Sequence, residues 1–483
     1  MVFGKPMSDK TPSRANVCTE VVAHDLCIGC GLCAGVCPNE HLRVAFNAFG
    51  EYVAFENPNE CAASCDLCLR VCPFSPPSKD EDVLGKKCFE DVPGMSHASE
   101  TGYYLRTVLG YSAADGHRAN GASGGLLTWT LETLLARGLV DRVACVSPVR
   151  EADRAMKFTM CSTAEEVRAA SRSAYYPVEI SEMIRTMLSR PGRYAITVLP
   201  CFAKAIRQAM EAVPRLRERV AFVLGLACGG GKSKFYAEYI CAMGGGDAHR
   251  LDRVTFRIKD PERPASDHGT RCVSAAGTPE EHACTVFGSE GPSLAWTHLY
   301  FTPIACSFCD DGFAELADGT FMDAWRPGFM EDPGGHSIVI LRNQTLSDLF
   351  RDGMASGALA MRDVDIAEAI ASQPSMLHFK RTLIRERVRL AAEMGQRVPP
   401  KRPHRFAPRV RHLEKAVVRA RWDTCRQSRK QWVEADKDSA RFRRAMAPCA
   451  ARVERAMQIS KAVYQPQAIP GALWRRLRNL VKR

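Results

Sequence analysis

Two cysteine runs near the N-terminus have the residue type and spacing of a redox metal centre: Cys27-Ile-Gly-Cys30-Gly-Leu-Cys33-Ala-Gly-Val-Cys37-Pro38 and Cys61-Ala-Ala-Ser-Cys65-Asp-Leu-Cys68-Leu-Arg-Val-Cys72-Pro73. The first reads C-x2-C-x2-C-x3-C-P, which brings three thiolates to three corners of one iron–sulfur cube and sends the fourth to a second cube. That crossed wiring predicts Cys27, Cys30, Cys33 and Cys72 on one [4Fe-4S] cluster, and Cys61, Cys65, Cys68 and Cys37 on another. The second run departs by one residue, x3 for x2, before Cys65. Such a chain handles single electrons. Structural zinc also uses C-x2-C pairs, but two runs of four, each closed by Cys-Pro, favour clusters. A disulfide framework would require export, and the stretch from Met1 to Asn16 has no apolar segment able to act as a signal peptide.

These cysteines need a small repeated scaffold, a ferredoxin-type α+β unit expected over residues 18–76 and followed by a Ser/Pro/acidic linker. The full length of 483 residues leaves room for one larger domain, expected over 97–345, and an appendage over 376–483. Apolar content of 46% suffices for a core, and no apolar run reaches the length of a membrane span. The net charge of +12 hides an asymmetry: from Lys380 onward there are 29 Lys+Arg against 8 Asp+Glu, and elsewhere 37 against 46. Arguments about nucleic acid or membranes therefore concern the last hundred or so residues alone. The cytoplasm is the expected compartment, with a peripheral place on the inner membrane surface left open by the tail.

Within the larger segment, strands and helices alternate. Strand-like 108–112 leads to the glycine-rich turn Asn120-Gly121-Ala122-Ser123-Gly124-Gly125, a helix over 126–137 and a strand over 143–146. A helix over 180–188, a strand over 194–199, a helix opened by Pro200-Cys201 and a buried strand over 220–226 follow, then a helix over 233–242. This predicts an α/β domain with a mainly parallel sheet, whose ligands bind at the carboxyl ends of the strands. Cys201 and Cys228 fall at two such ends, and Cys306-Ser307-Phe308-Cys309 supplies a further ligand pair. These four could hold a third cluster. Cys145, Cys161, Cys241, Cys272, Cys284, Cys425 and Cys449 read as small buried hydrophobes. Gly229-Gly230-Gly231-Lys232-Ser233 is no phosphate loop, because the first glycine that motif requires falls on Leu226.

The ordered set Gly110-Tyr111-Ser112, Gly121-Ala122-Ser123-Gly124-Gly125, Val198-Leu199-Pro200-Cys201, Gly225-Leu226-Ala227-Cys228-Gly229, Phe256-Arg257-Ile258-Lys259 and Cys306-Ser307-Phe308-Cys309-Asp310 resembles the family of coenzyme F420 hydrogenase/dehydrogenase beta subunits, the number being part of the coenzyme's name. Ala317-Asp318 through Asp323-Ala324-Trp325 resembles its ADIxxGDxW segment, and Gly335-His336-Ser337-Ile338-Val339 its closing strand. The resemblance spans roughly 102–342. It implies FAD and a [4Fe-4S] cluster in the catalytic domain, the cluster on Cys201, Cys228, Cys306 and Cys309. It implies a flavin-dependent iron–sulfur oxidoreductase partnered by a redox protein, reduced ferredoxin or a deazaflavin coenzyme. Some members are associated with polysaccharide synthesis, so an accessory role there is an alternative. The chain departs from the family at Met322-Asp323, at Gly319, and at Ser171-Arg172-Ser173-Ala174-Tyr175, where a lysine is missing.

For the flavin, Ser123, Gly124 and Gly125 are expected to offer a hydroxyl and free N–H groups to a phosphate at a helix start, although a helix cap is the blander reading. Asp318, Asp323 and Trp325 either orient a cofactor or serve as a capping carboxylate and a core ring. Arg257 and Lys259 either meet an anionic substrate or form a charged strand edge facing solvent. His117 and His298 are acid/base candidates, and no catalytic residue is assigned. A flavin beside clusters converts between one- and two-electron chemistry; the alternative is an electron-transfer subunit without a substrate site. The tail predicts a basic helix over 380–395, a Pro-rich hinge over 399–403, a long charged helix over 409–446, and an amphipathic basic helix with Leu473, Trp474, Leu477, Leu480 and Val481 on one stripe. It could meet an acidic partner or an anionic membrane, or pack on the protein's own acidic body. Nucleic acid is disfavoured, because no aromatics interleave the basic residues.

Overall fold

The computed structural model describes residues 15–62, 64–151, 153–402 and 409–465. Its centre is an eight-stranded sheet in the order Leu359–Asp363, Arg106–Ser112, Ser337–Leu341, Gly319–Asp323, Val220–Leu226, Tyr194–Val198, Arg142–Glu151, Arg154–Cys161. The middle four of the last six pair in parallel: Gly319–Asp323, Val220–Leu226, Tyr194–Val198 and Arg142–Glu151. Arg106–Ser112 runs the same way, while Ser337–Leu341, Leu359–Asp363 and Arg154–Cys161 oppose them. The sheet is thus mostly parallel in direction but closed by antiparallel strands. The short connection between Arg142–Glu151 and Arg154–Cys161 leaves no alternative, since a parallel pair needs a crossover of a dozen or more residues.

Val220–Leu226 is apolar throughout because both faces are covered. On one face Ile196 and Val198 pack with Phe202, Ile206 and Ile184; on the other Ala195 and Leu224 pack with Leu131, Leu134 and Phe350. Helices therefore lie on both sides of the sheet. A three-stranded antiparallel sheet, Leu251–Ile258, Gly269–Ser274 and His282–Phe287, packs on helix Phe235–Met243. The cysteine-rich segment adds the hairpin Leu42–Phe46/Tyr52–Glu56 and short helices Leu32–Gly35 and Leu67–Val71, which pack on helices Ser181–Ser189 and Pro200–Ala212 of the sheet layer.

The C-terminal segment differs from expectation in two ways. The expected long helix is a hairpin of His412–Glu434 and Ser439–Tyr464, reversed where Asp436 and Lys437 take left-handed φ of 50° and 57°. Neither is glycine, and Pro448 lies inside the second helix, so the usual punctuation sits in the wrong place. The hairpin is also not a solvated tail. Trp432 is fully buried against Tyr239, Phe301 and Phe442. Trp422 and Cys425 share a core with Phe308, Leu26 and Phe74. Arg429 pairs with Asp25 and Glu51, and Arg397 with Glu20. Part of the basic excess is thus paired with the protein's own acidic body. The stripe from Leu473 to Val481 lies outside the described residues. Among the described residues no helix is long and apolar enough to cross a membrane.

Candidate functional site

The first cysteine run is shaped by glycines with no room for a side chain. Gly29 (φ +68°) would place a Cβ 2.5 Å from the Tyr52 carbonyl oxygen, and Gly31 (φ +77°) one 2.3 Å from Glu179 Oε2. The Cys30 carbonyl accepts from Ile180 N–H at 2.9 Å, so this loop is seated on the sheet layer. Burial raises the Cys27, Cys30, Cys33 and Cys72 thiols, Cys72 to about 12, and mutual repulsion raises Cys30, Cys33 and Cys72 further. These four, which the crossed wiring joins, lie within electrostatic reach of one another, and Cys33 and Cys72 also feel Cys68. Cys68 likewise feels Cys65 and Cys61. Cys37 lies half-buried two residues beyond helix Leu32–Gly35, and its membership of the outer set rests on spacing.

Three separate elements supply the inner cysteines. Cys201 opens helix Pro200–Ala212, Cys228 lies two residues past strand Val220–Leu226, and Cys306 and Cys309 flank the end of the turn Ile304–Phe308. Burial lifts the Cys201 thiol well above its ordinary value, followed by the charges of Cys309, Cys228 and Cys306. Gly231 N–H donates to Cys306 Sγ at 3.3 Å. Backbone N–H groups point at two of these sulfurs, Gly29 at Cys27 and Gly231 at Cys306, as they would at the ligands of an iron–sulfur cube.

Sequence reasoning missed the shell around the inner thiols. Lys380 Nζ lies 2.9 Å from Cys309 Sγ and 2.8 Å from the Asp311 carbonyl oxygen. Burial would lower its pKa, but Cys309 and Cys228 raise it overall, so it is a fixed cation. Arg387 Nε donates to the Ser307 carbonyl at 2.7 Å. Arg402 reaches a buried acidic pit, 3.2 Å from Asp310 Oδ2 and 2.8 Å from Glu315 Oε2, with Lys401 3.3 Å from Asp310 Oδ1. Against the cost of burial, Lys401 and Arg402 hold the Asp310 carboxyl far below the usual carboxylate range. All four cations come from the basic C-terminal segment. Only its charge excess hinted at this, and charge alone gives no address.

The glycine-rich turn sits at a second centre. The expected free donors are partly committed: Ser123 Oγ donates to the His336 carbonyl at 2.7 Å, and Gly124 N–H to Ser337 Oγ at 3.0 Å. The glycines permit this approach, since a Cβ on Gly124 would fall 2.8 Å from Gly110 O; Gly125 takes φ +75° before helix Leu126–Ala136. Arg257 is no solvent-facing strand edge. It is 3% exposed, and its Nη2 donates to Ala122 O at 2.7 Å and to Asp323 Oδ1 at 2.6 Å. Lys259 Nζ donates to the carbonyls of Arg118, Ser123 and Gly334, and burial with Arg257 and Arg118 lowers its pKa to about 8. Arg172 donates to Arg257 O, and Arg118 lies over the Tyr111 ring and pairs with Asp332. Four cations thus meet two carboxylates, Asp323 and Asp332. Such a surplus beside a tight glycine turn fits a phosphate-bearing ligand.

Asp318 belongs elsewhere: its Oδ2 accepts from Val223 N–H at 2.7 Å and its Oδ1 pairs with Arg207 at 2.9 Å, tying two adjacent strands to a helix. Trp325 lies under Arg257. His117 bridges Ser112 and Glu132, and burial lowers the pKa of His298. Neither is drawn into a site.

Two groups of cysteines on one α/β body, with a cationic cluster beside the glycine-rich turn, have the make-up of an iron–sulfur oxidoreductase. The chain belongs to the family of coenzyme F420 hydrogenase/dehydrogenase beta subunits. The family's N-terminal part matches residues 107–185 and its C-terminal part 192–367, and a 4Fe-4S dicluster domain matches 26–75. One curated relative, a component of the F(420)H(2) dehydrogenase of Methanosarcina mazei, is 23% identical over 220 residues, covering 43% of this chain and 55% of the relative. The chain thus spans little more than half of that relative. A solved structure of the F420-reducing [NiFe] hydrogenase complex from Methanosarcina barkeri contains a similar chain, at 17% identity and a TM-score of 0.47, covering 64% of this chain and 100% of that one.

Proposed function

We propose that this chain is a flavin-dependent iron–sulfur oxidoreductase that passes electrons between a redox partner and an organic substrate or deazaflavin-type coenzyme. Cys61, Cys65, Cys68 and Cys37 would hold the outer cluster, Cys27, Cys30, Cys33 and Cys72 the middle one, and Cys201, Cys228, Cys306 and Cys309 the inner one. The observation that carries the reading is the shared core in which Cys27, Cys72 and Cys201 pack against the same apolar residues, Leu26, Phe74, Ile304 and Phe308 among them. It supports an electron path from the cysteine module into the sheet body. When bound, the clusters carry electrons singly and FAD exchanges them in pairs.

The chain's own residues do the positioning. Arg118 and Arg257 would meet the phosphates of FAD, Lys259 would brace the glycine-rich turn that receives them through its three carbonyl contacts, Asp323 holds Arg257 in place, and the seating of Cys30 on Ile180 fixes the module to the body. The test is anaerobic quantification of iron, sulfide and flavin in the purified chain. About twelve iron atoms and one FAD are expected, as three four-iron cubes require; about eight iron atoms without flavin would overturn the flavin and inner-cluster assignments. The commitment of Ser123 Oγ and Gly124 N–H to internal partners favours a second reading, an electron-transfer subunit without a substrate site. Turnover of a deazaflavin by the isolated chain would exclude it.

A further inference from the structure

Outside both centres, three thiols meet where helix Phe235–Met243 packs on the small sheet. Cys272 and Cys284 stand directly opposite one another on the antiparallel strands Gly269–Ser274 and His282–Phe287. Directly opposed residues have Cα atoms about 4.5–5.5 Å apart, inside the roughly 4.4–6.8 Å that a disulfide spans. Its neighbours Cys241 and Cys284, with burial, hold the Cys272 thiol well above its ordinary value, and Cys284 Sγ donates to the Cys241 carbonyl at 3.9 Å. Their exposures differ: Cys272 is fully buried, whereas Cys284 is partly open and flanked by the exposed His282. Two glycines keep the place clear, because a Cβ on Gly244 would fall 2.4 Å from Cys284 Sγ and one on Gly246 2.7 Å from Cys241 Sγ.

We propose that Cys284 and Cys272 form a thiol–disulfide exchange site for low-molecular-weight disulfides, with Cys284 attacking and Cys272 resolving. The Cys284 thiolate attacks one sulfur of the small disulfide, forming a mixed disulfide and expelling one small thiolate. Cys272 then attacks Cys284 Sγ, its proton leaves with the second small thiol, and a Cys272–Cys284 disulfide forms. The protein dithiol loses two electrons and the small disulfide gains them. Cys272 beside it and the charge of His282, opposed by burial, lower the Cys284 thiol, which favours it as the attacking thiolate. Cys272 pairs on its other side with Val254, three residues before Arg257, so the new bond would tie together the sheet that carries that arginine.

The test exposes the anaerobic holoprotein at pH 7 to oxidised glutathione, with iron content followed in parallel and cysteines read by differential alkylation and peptide mass spectrometry. The expected result is a Cys272–Cys284 linkage with two glutathione molecules released per chain. Cys272→Ser should stop at glutathionylated Cys284. In the unmutated protein, Cys284 should alkylate at least tenfold faster than Cys145 and Cys161, a buried pair with sulfurs 3.5 Å apart. The proposal is overturned if Cys284 alkylates no faster than that pair, if it links to Cys241 instead, or if glutathione is found only on cluster-run peptides.

Discussion

Replacing Lys380 by Gln removes a buried positive charge from beside the inner thiols while keeping a side chain able to donate to the Asp311 carbonyl. With Nζ 2.9 Å from Cys309 Sγ, the charge would lie about 5 Å from the centre of a bound cube, and at an effective dielectric constant of about 20 their interaction is about 3 kcal/mol. Reduction adds one negative charge to the cube, so the cation favours the reduced form, and its removal lowers the potential. For a one-electron couple, where about 59 mV corresponds to a tenfold change, 3 kcal/mol is about 130 mV. Water entering the vacated space would screen part of this and leave a fall of roughly 60 mV or more. The assay is an anaerobic redox titration followed by electron paramagnetic resonance, with Lys380→Arg as the control that keeps the charge. A shift of the Gln variant below about 20 mV, or an upward one with iron content unchanged, would refute the electrostatic argument.

Arg402→Ala should destabilise the fold by about 1–3 kcal/mol, because it takes one partner from each of the buried carboxylates Asp310 and Glu315 and leaves them Lys401 and Arg381 alone; denaturant unfolding of the holoprotein checks this, and a loss under about 0.5 kcal/mol would contradict it. The Asp310 carboxyl is depressed by folding, so its contribution is present above the ordinary carboxylate pKa of about 4 and fades as pH falls below it. Acid unfolding of Asp310→Asn should accordingly begin from a lower stability at pH 7 and depend less on pH below 4. Gly29→Ala should lower bound iron and cost on the order of 1–3 kcal/mol, since the backbone at Tyr52 cannot retreat from the added Cβ. Lys259 is charged below about 8 and loses its proton above it, so FAD affinity should fall severalfold between pH 7 and pH 9. Lys259→Arg should abolish that pH dependence in a binding titration.

The parts legible in the sequence were those with a local cause. Val220–Leu226 matches its expected bounds because a strand buried on both faces is a continuous apolar run. Cys72 lies within electrostatic reach of Cys27, as ligand spacing leads one to expect. What could not be read depended on distant partners. Arg257 looks like a solvent-facing charge until Asp323, 66 positions on, is folded against it. The turn at Asp436 and Lys437 has no glycine, and its left-handed backbone is held by the burial of Trp432 and Phe442 on either side. The helix-start donors at Ser123 and Gly124 are taken by a strand more than 200 residues later.

The covering of the inner thiols by Lys380, Arg387 and Arg402 also sets an order in time. During translation Cys201, Cys228, Cys306 and Cys309 leave the ribosome before any of these residues, and Arg429, which straps the module through Asp25, follows later still. If the four thiols hold a cluster as proposed, it would be easiest to insert during the stage in which the sheet has folded and these residues have yet to emerge. Closure by the C-terminal helices ends that stage, and a ribosome stalled near residue 370 would hold the chain within it.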